Sequence, residues 1–463
     1  VKLIFVIIIR LSWILAVSFS IFSFLFIIYS IKERELRAAF FGFILFGGIS
    51  SSWIAFLIFS NHFSSIITIL IFAVSLLFLF FIIAPLGSKK AIQIIGSQER
   101  VDERDVIFSR YYALKIGTAQ YAKYYQNNPH LKKIDDKTRQ LPSLGSPQTP
   151  TYHHLATPLF FAYESFIERI SGLVDGPVAK VKKEVNAREM ATVIKRMLKH
   201  MGADLAGITR LNQAYIYSVA GRIAERYGKI IELNHPYAIA FAVGMDYWMN
   251  KASPLLNTLL ETDKQYLRAA WISIVLAEYI RSLGYLARAH IDANYQAILP
   301  PIAADAGLGE LGRIGILITE KFGPRVRLGL VTTDLPLAID KPITFGVQDF
   351  CRRCRKCADN CPAGAISKGE KVIERGVEKW VINRERCFQY WNSVGTDCGI
   401  CIRVCPYSKP ETSIHNIIRF FNKQSFIARQ ISLWGDDLFY GRKPKLINLF
   451  NWLKINNKIK IRA

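Results

Sequence analysis

All eight cysteines of this chain lie between Cys351 and Cys405. The first four read Cys351-x2-Cys354-x2-Cys357-x3-Cys361-Pro362, and the second four read Cys387-x10-Cys398-x2-Cys401-x3-Cys405-Pro406. Four thiolates hold one 4Fe-4S cluster, and where two such runs share a fold the last cysteine of each crosses to the other cluster. That pattern assigns Cys351, Cys354, Cys357 and Cys405 to one 4Fe-4S cluster, and Cys361, Cys387, Cys398 and Cys401 to the second. A disulfide framework would call for an oxidising compartment and usually a small domain. Paired zinc sites would usually lack the x2-x2-x3-Pro run. Residues 345–412 are therefore expected to form a ferredoxin-like electron-transferring domain with two clusters.

A chain of 463 residues is too long for that domain alone and implies two or three. Residues 3–30, 38–60 and 65–86 are apolar stretches, each long enough to cross a hydrocarbon layer of roughly 30 Å. Arg10 interrupts the first near its start, where its side chain could snorkel to the interface. Residues 1–90 are thus expected to be an N-terminal three-helix transmembrane anchor, and lipid the first partner. No twin-arginine pair stands before these stretches. Lys32, Arg34 and Arg37 fall in the first loop, and Lys89 and Lys90 follow the third stretch, whereas the loop at Asn61 and His62 carries no Lys or Arg. By the positive-inside bias the first loop and everything after residue 88 face the cytoplasm, with Lys2 and Arg10 counting the other way. The formal charge is +24. The excess is scattered, so it reads as a solvated basic surface or attraction to anionic lipid, and no nucleic acid is expected.

Residues 91–185 read as a connector, charged and partly helical to 125, then turn-rich and extended over 126–158. Residues 186–344 have globular patterning. A helix is expected over 187–201, ending at Gly202, and another over 264–283, ending at Gly284. Short apolar runs at 203–208, 237–244 and 326–332 suit strands. This mixture without a regular βαβ period favours an α+β domain. Gly307-Leu-Gly-Glu-Leu-Gly312 has the letters of a dinucleotide loop but follows Pro300-Pro301 and a helical stretch, where no strand is expected. Residues 413–463 are expected to be a basic C-terminal segment.

Several phrases together resemble the reductive dehalogenase family. They are Gly202-Ala-Asp-Leu-Ala-Gly-Ile208, the stretch from Ala287 through Ala306-Gly-Leu-Gly-Glu-Leu-Gly-Arg313, Phe322-Gly-Pro-Arg-Val-Arg-Leu328, Thr333-Asp-Leu-Pro-Leu337, and Cys387-Phe-Gln-Tyr-Trp391 leading to Asp397-Cys-Gly-Ile-Cys401. The match covers roughly 185–420. Epoxyqueuosine reductases share the Ala-Gly-Leu-Gly phrase and the paired clusters. The fused apolar stretches resemble the membrane-fused subgroup. The resemblance implies a cobalamin-type corrinoid held in a nitroreductase-like corrinoid- and substrate-binding domain (186–344), an organohalide substrate, and an electron donor such as a ferredoxin, a flavoprotein or a quinol-oxidising protein. It implies Tyr266 as proton donor, assisted by Asn294 and Arg327, with Asp292 and Arg325 as alternatives because the interval from Tyr266 is about two residues longer than usual. An Arg cation nearby would lower the Tyr pKa.

Glycines at 307 and 309, with Leu308 between them, would let backbone approach a flat macrocycle. Met245 and Asp246 end an apolar strand, a common place for cofactor contacts. Glu310 and Arg313 read as a structural ion pair, His200, His235 and His290 as structural, and Tyr390 with Trp391 as packing that shields a cluster. The expected function is a membrane-anchored, corrinoid- and iron–sulfur-dependent reductive dehalogenase with its catalytic part in the cytoplasm. The alternatives are an epoxyqueuosine-reductase-like enzyme acting on tRNA and a non-enzymatic membrane electron carrier of the ferredoxin type.

Overall fold

The computed structural model describes residues 2–59, 65–85, 92, 94–292 and 294–445. They fall into two units, residues 1–89 with 409–444, and 90–408 with 445–463. The first unit begins with helices α1 (Lys2–Lys32), α2 (Leu36–Phe59) and α3 (Ser65–Ile83). Between α1 and α2, Arg34 at φ +55° reverses the chain. Val6–Lys32 and Leu36–Ala55 are long and apolar enough to cross a membrane, while the third contributes the shorter apolar run Phe72–Ile83. Among the described residues two such helices thus stand where three spans were expected. Residues 60 and 86, the ends of the expected second and third spans, lie outside the described residues.

The second unit opens with α4 (Ile107–Ala113), α5 (Ala119–Asn127), α6 (Pro129–Arg139) and α7 (Thr157–Ile170). Residues 126–158 therefore differ from the extended linker expected. Pro129 starts a helix where its missing N–H costs nothing, and Asn-Pro was a helix start. This region is bolted down by buried charge. Arg110 pairs with Asp135 at 2.7 Å and with Glu385 at 2.8 Å, and the Tyr125 hydroxyl donates to Asp135 at 2.8 Å.

Next comes α8 (Ala187–His200), capped by Asn186, whose side chain accepts from the N–H groups of Arg188 and Glu189. Then β1 (Leu205–Arg210), β2 (Tyr237–Gly244), α9 (Tyr247–Lys251), α10 (Leu256–Ser282), β3 (Ala287–His290), α11 (Leu299–Asp305), β4 (Glu310–Leu311), β5 (Leu317–Ile318) and β6 (Val326–Thr333) follow. The antiparallel sheet has the order β1-β2-β6-β3. Side chains alternate along β2 as strand geometry dictates. Ile239, Phe241 and Val243 join Ile194 and Leu198 of α8 and Ile272, Leu276 and Ile280 of α10 in one core. Ala238, Ala240 and Ala242 join Ile302 and Ala303 of α11 in the other. Helix α10 starts eight residues before the expected 264. Its first two turns bury Asn257, Thr258, Glu261, Thr262 and Asp263 alongside leucines, and polar residues on a buried face hide the apolar period.

The cysteines are carried by α12 (Val347–Cys354), α13 (Lys356–Asp359), α14 (Arg384–Val394) and α15 (Ile400–Arg403), with the small hairpin β7 (Val372–Glu374) and β8 (Val377–Lys379) between them. Back in the first unit, α16 (Ser413–Gln424) and α17 (Phe426–Tyr440) form a helical hairpin. It packs with α1–α3 around Phe26, Ala38 and Ile414.

Candidate active site

Cys405 lies close enough to Cys351, Cys354 and Cys357 to feel their charge, and a cavity is lined by all four, with Cys401 and Arg313 in its wall. Cys361, Cys387, Cys398 and Cys401 interact in the same way among themselves. Burial pushes the thiols of Cys351 and Cys387 up to about 11. Sulfurs buried together become thiolates only against strong positive charge, which iron supplies. Trp391 hydrogen-bonds Cys387, and the N–H of Ala365 donates to the sulfur of Cys361 at 3.3 Å. Donors of this kind tune a cluster's potential.

The glycine-rich loop has a structural job beside the first set. A Cβ on Gly307 would stand 2.6 Å from the Lys341 carbonyl, and one on Gly309 would collide with the Ile318 carbonyl. Protein backbone closes on both glycines. Leu308 is buried in the core. Glu310 and Arg313 have other partners than each other. Glu310 accepts from the N–H groups of Phe345, Gly346 and Val347 at 2.6–3.2 Å, holding the start of α12. The buried Arg313 guanidinium donates to the carbonyls of Cys351, Ser367 and Gly369. The loop clamps the cysteine-bearing segment onto the sheet.

A second polar centre forms where α10 meets β6. Thr262 and Tyr266, four residues apart, share one face of α10. Arg327, paired with Val243 across the sheet, places its guanidinium carbon 5.0 Å from the Tyr266 ring centre. Its Nη2 donates to Thr262 at 2.9 Å and to Asp397 at 3.1 Å, and the Thr262 hydroxyl donates to Asp397 at 2.5 Å. Asp397 immediately precedes Cys398, so this centre is joined to the second cysteine set by one peptide bond. Asp263, Glu164 and Asp292 lie near enough to act electrostatically on the same group of residues. Arg222 pairs with Asp292 at 3.4 Å and lies 5.2 Å from the Tyr295 ring centre.

Burial raises the Tyr266 pKa above that of an ordinary phenol. Arg327 pulls it down, but Asp292, Asp397 and Asp263 push it up, and the net shift is upward, against the lowering expected from an adjacent Arg. Burial works against the Arg327 charge, yet Tyr266 and Asp397 hold its pKa above the usual value. Glu164 is pushed up to about 7, by burial first and then by Asp292, and it hydrogen-bonds Asp263, which burial holds well above the usual carboxylate range. Tyr266 and Arg327 are enclosed by protein yet keep accessible surface, as the walls of a cleft do. Asp263 Oδ2, Asp397 Oδ1 and Arg327 Nε are buried without a partner among the described residues. Such atoms in a native fold call for a bound group or water.

Of the residues expected here, Tyr266 and Arg327 come together. Asn294 accepts from Arg288 at 2.6 Å and donates to the Ser171 carbonyl at 2.9 Å, while Asp292 is the loop residue that acts on Tyr266. Arg325 donates to the carbonyls of Ser408 and Met245. Met245 is buried, and Asp246 caps α9 through the Met249 N–H. His235 and His290 each hydrogen-bond Thr332 at 3.0 Å. Glu164, Arg222, Thr262, Asp263 and Asp397 had no sequence signal for this centre, apart from Asp397 standing beside a cysteine and Thr262 one turn before Tyr266.

Residues 350–409 match the model of the 4Fe-4S dicluster domain. The chain is 34% identical over 295 residues to a tetrachloroethene reductive dehalogenase of Desulfitobacterium hafniense, covering 54% of this chain and 52% of that protein. It is 31% identical over 303 residues to the tetrachloroethene reductive dehalogenase of Sulfurospirillum multivorans, covering 58% and 60%. Among solved structures it is similar to the catabolic reductive dehalogenase NpRdhA at 28% identity and a TM-score of 0.64, over 79% of this chain and 49% of that one. That enzyme has also been solved with 3-bromo-4-hydroxybenzoic acid. The chain spans about half the length of the curated relatives it matches. The resemblance to reductive dehalogenases read from the sequence is borne out, and the mixed helix and strand fold resembles theirs.

Proposed function

We propose that this chain is a membrane-anchored reductive dehalogenase dependent on a corrinoid and two 4Fe-4S clusters. It would replace halide on an organohalide by hydrogen, with two electrons and one proton consumed and one halide released. The observation that carries this reading is the Tyr266–Arg327 pair, 5.0 Å apart in a cleft wall that Asp397 joins to the second cysteine set. The raised pKa keeps Tyr266 loaded with its proton at neutral pH, as a donor must be. When the proton leaves, Arg327 faces the phenolate and stabilises it. Asp397 and Thr262 fix the guanidinium so that little reorganisation accompanies the transfer.

A corrinoid, when bound, supplies the low-potential electron pair that cleaves a carbon–halogen bond. The unpartnered atoms of Asp263, Asp397 and Arg327 fit a bound group and its ordered water. The nitroreductase-like domain 186–344 would hold it. Because Met245, Leu308 and Gly309 are buried, those positions, with Asp246 and Gly307, would meet it mainly through backbone. Both cations of the cleft already face carboxylates, Arg327 with Asp397 and Arg222 with Asp292. A neutral organohalide therefore suits it better than a carboxylate. The anchor is read as multi-pass, with Ser65–Ile83 as third span and the catalytic part in the cytoplasm. Asn294 would act at one remove, holding the loop that presents Asp292.

The test is anaerobic reconstitution of the full chain with iron, sulfide and cobalamin, followed by iron and cobalt counts and halide release from a chlorinated ethene. About eight iron and one cobalt per chain, with stoichiometric halide, is the expected result. Full iron with no retained cobalt would leave the electron-carrier reading in its place.

A further inference from the structure

The C-terminal hairpin carries apolar surface that its own packing does not explain. Along α17, Ile431, Trp434 and Leu438 recur at helical spacing and are all exposed, Trp434 at 67%. On α16, Ile417 and Phe420 are exposed, at 39% and 53%. The opposite faces are buried, at Ile414, His415 and Asn422 on α16 and at Ala428, Arg429 and Leu433 on α17. Each helix is therefore apolar on a second side that the unit leaves open.

The hairpin is fastened to one end of the apolar helices. Glu33, in the α1–α2 turn, accepts from or shares a proton with His415 Nε2 at 3.1 Å, and both side chains are buried. Arg37, at the start of α2, donates to the Leu438 carbonyl at 2.9 Å. The Ser425 hydroxyl, between α16 and α17, donates to the Phe81 carbonyl near the end of α3 at 2.7 Å. In an up-down-up arrangement the end of α1, the start of α2 and the end of α3 share one side of the bilayer. All three attachments fall there, which is also the side of Lys32, Arg34 and Arg37. With 12 and 15 residues, α16 and α17 are about 18 and 22 Å long, too short to cross the roughly 30 Å core.

We propose that α16 and α17 lie in the headgroup layer of an anionic bilayer, with Ile417, Phe420, Ile431, Trp434 and Leu438 at the acyl boundary. The proposal rests on the membrane reading given above. Two features favour lipid as the occupant. The exposed stripe is fastened within the same unit as the lipid-facing surfaces of α1 and α2. Exposed basic residues, Arg34 and Arg37 in the first turn and Lys443 after α17, stand where phosphate groups would. An amphipathic helix binds in this way through apolar burial plus attraction to anionic lipid. The consequence is a chain held to the membrane by segments on both sides, in sequence, of its cysteine-bearing region.

A benzophenone amino acid placed at Trp434 or at Phe420 of the full chain, in vesicles with and without anionic phospholipid, tests this. The same group at Phe43, an exposed position on α2, is the reference. Phospholipid adducts at all three positions, at least about twofold stronger at 434 and 420 with anionic lipid, is the expected result. Lipid adducts at 43 alone, or adducts from 434 and 420 to a second copy of the chain, would overturn the interfacial hairpin while leaving the anchor intact. No lipid adduct anywhere would overturn the membrane reading and the hairpin with it.

Discussion

The cysteine segment and the Tyr266 cleft both bury groups that carry charge, and they balance it in opposite ways. Between Cys351 and Cys405 the sulfurs gather from a short stretch of chain, and burial first, then nearby groups such as Glu310, Cys361 and Asp397, hold them as thiols, with Cys351 and Cys387 raised to about 11. Their charge balance comes from metal. The cleft collects four carboxyls and two guanidinium groups from segments as far apart as Glu164 and Asp397, and matches Arg327 to Asp397 and Arg222 to Asp292 within the protein. Its two remaining acids, Glu164 and Asp263, share a hydrogen bond and shift upward. One region leaves its charge balance to a bound group; the other is largely charge-balanced within the protein.

That contrast breaks most visibly at Cys405. A Cys405→Ala chain should lose one cluster, falling from about eight iron to about four, and halide release should drop below detection. Retention of all the iron would show that Cys405 is not a cluster ligand. Arg327→Met tests the cleft's internal balance, because it leaves Asp397 buried without its partner. A loss of about 3–5 kcal/mol is expected when one member of a buried pair is removed, read as a lower unfolding midpoint with iron content unchanged. No change in midpoint would mean that the pair is not a structural part of the cleft. A smaller effect is expected from substrate charge. 3-Bromobenzamide should bind at least about tenfold tighter than 3-bromobenzoate, equivalent to about 1.4 kcal/mol, and equal binding would count against a self-balanced cleft.

The smallest effect concerns Glu164. Its folded pKa of about 7 lies above the unfolded value of 4.5, so the folded state binds the proton more tightly. Its contribution to stability is intact below pH 4.5 and is lost as pH rises through 7. The groups that set it are Asp292, Arg222, Glu168 and Asp263. Glu164→Gln should therefore flatten the fall in unfolding midpoint between pH 5 and 8, and an unchanged slope would assign that fall elsewhere.

The same contrast explains what could be read from the sequence. Cluster ligands repeat at fixed local spacing because the cofactor demands it, so the cysteine sets were legible without coordinates. Strands β2 and β6 were legible because both are apolar runs bounded by breaks. The start of α10 was not, since Asn257, Thr258 and Asp263 are buried among leucines and erase the amphipathic period. Tyr266 and Arg327 came from the family resemblance alone. Asp397, Glu164 and Arg222 join them only through tertiary packing, which no local spacing encodes. Gly307 and Gly309 stood out in the sequence, while the Lys341 and Ile318 carbonyls that close on them come from later in the chain, an approach that no local spacing encodes. The pairing of the C-terminal hairpin with the N-terminal helices spans nearly the whole chain and left no trace in local pattern.

In the proposed function Tyr266, set against Arg327, delivers the proton to the carbon that loses halide. The direct test is halide release by the reconstituted full chain, wild type against Tyr266→Phe, at equal iron and cobalt content and with cobalt EPR recorded on substrate addition. Halide release should fall by about 10²–10⁴-fold while the substrate-induced EPR change persists. An undiminished rate in Tyr266→Phe would contradict this role.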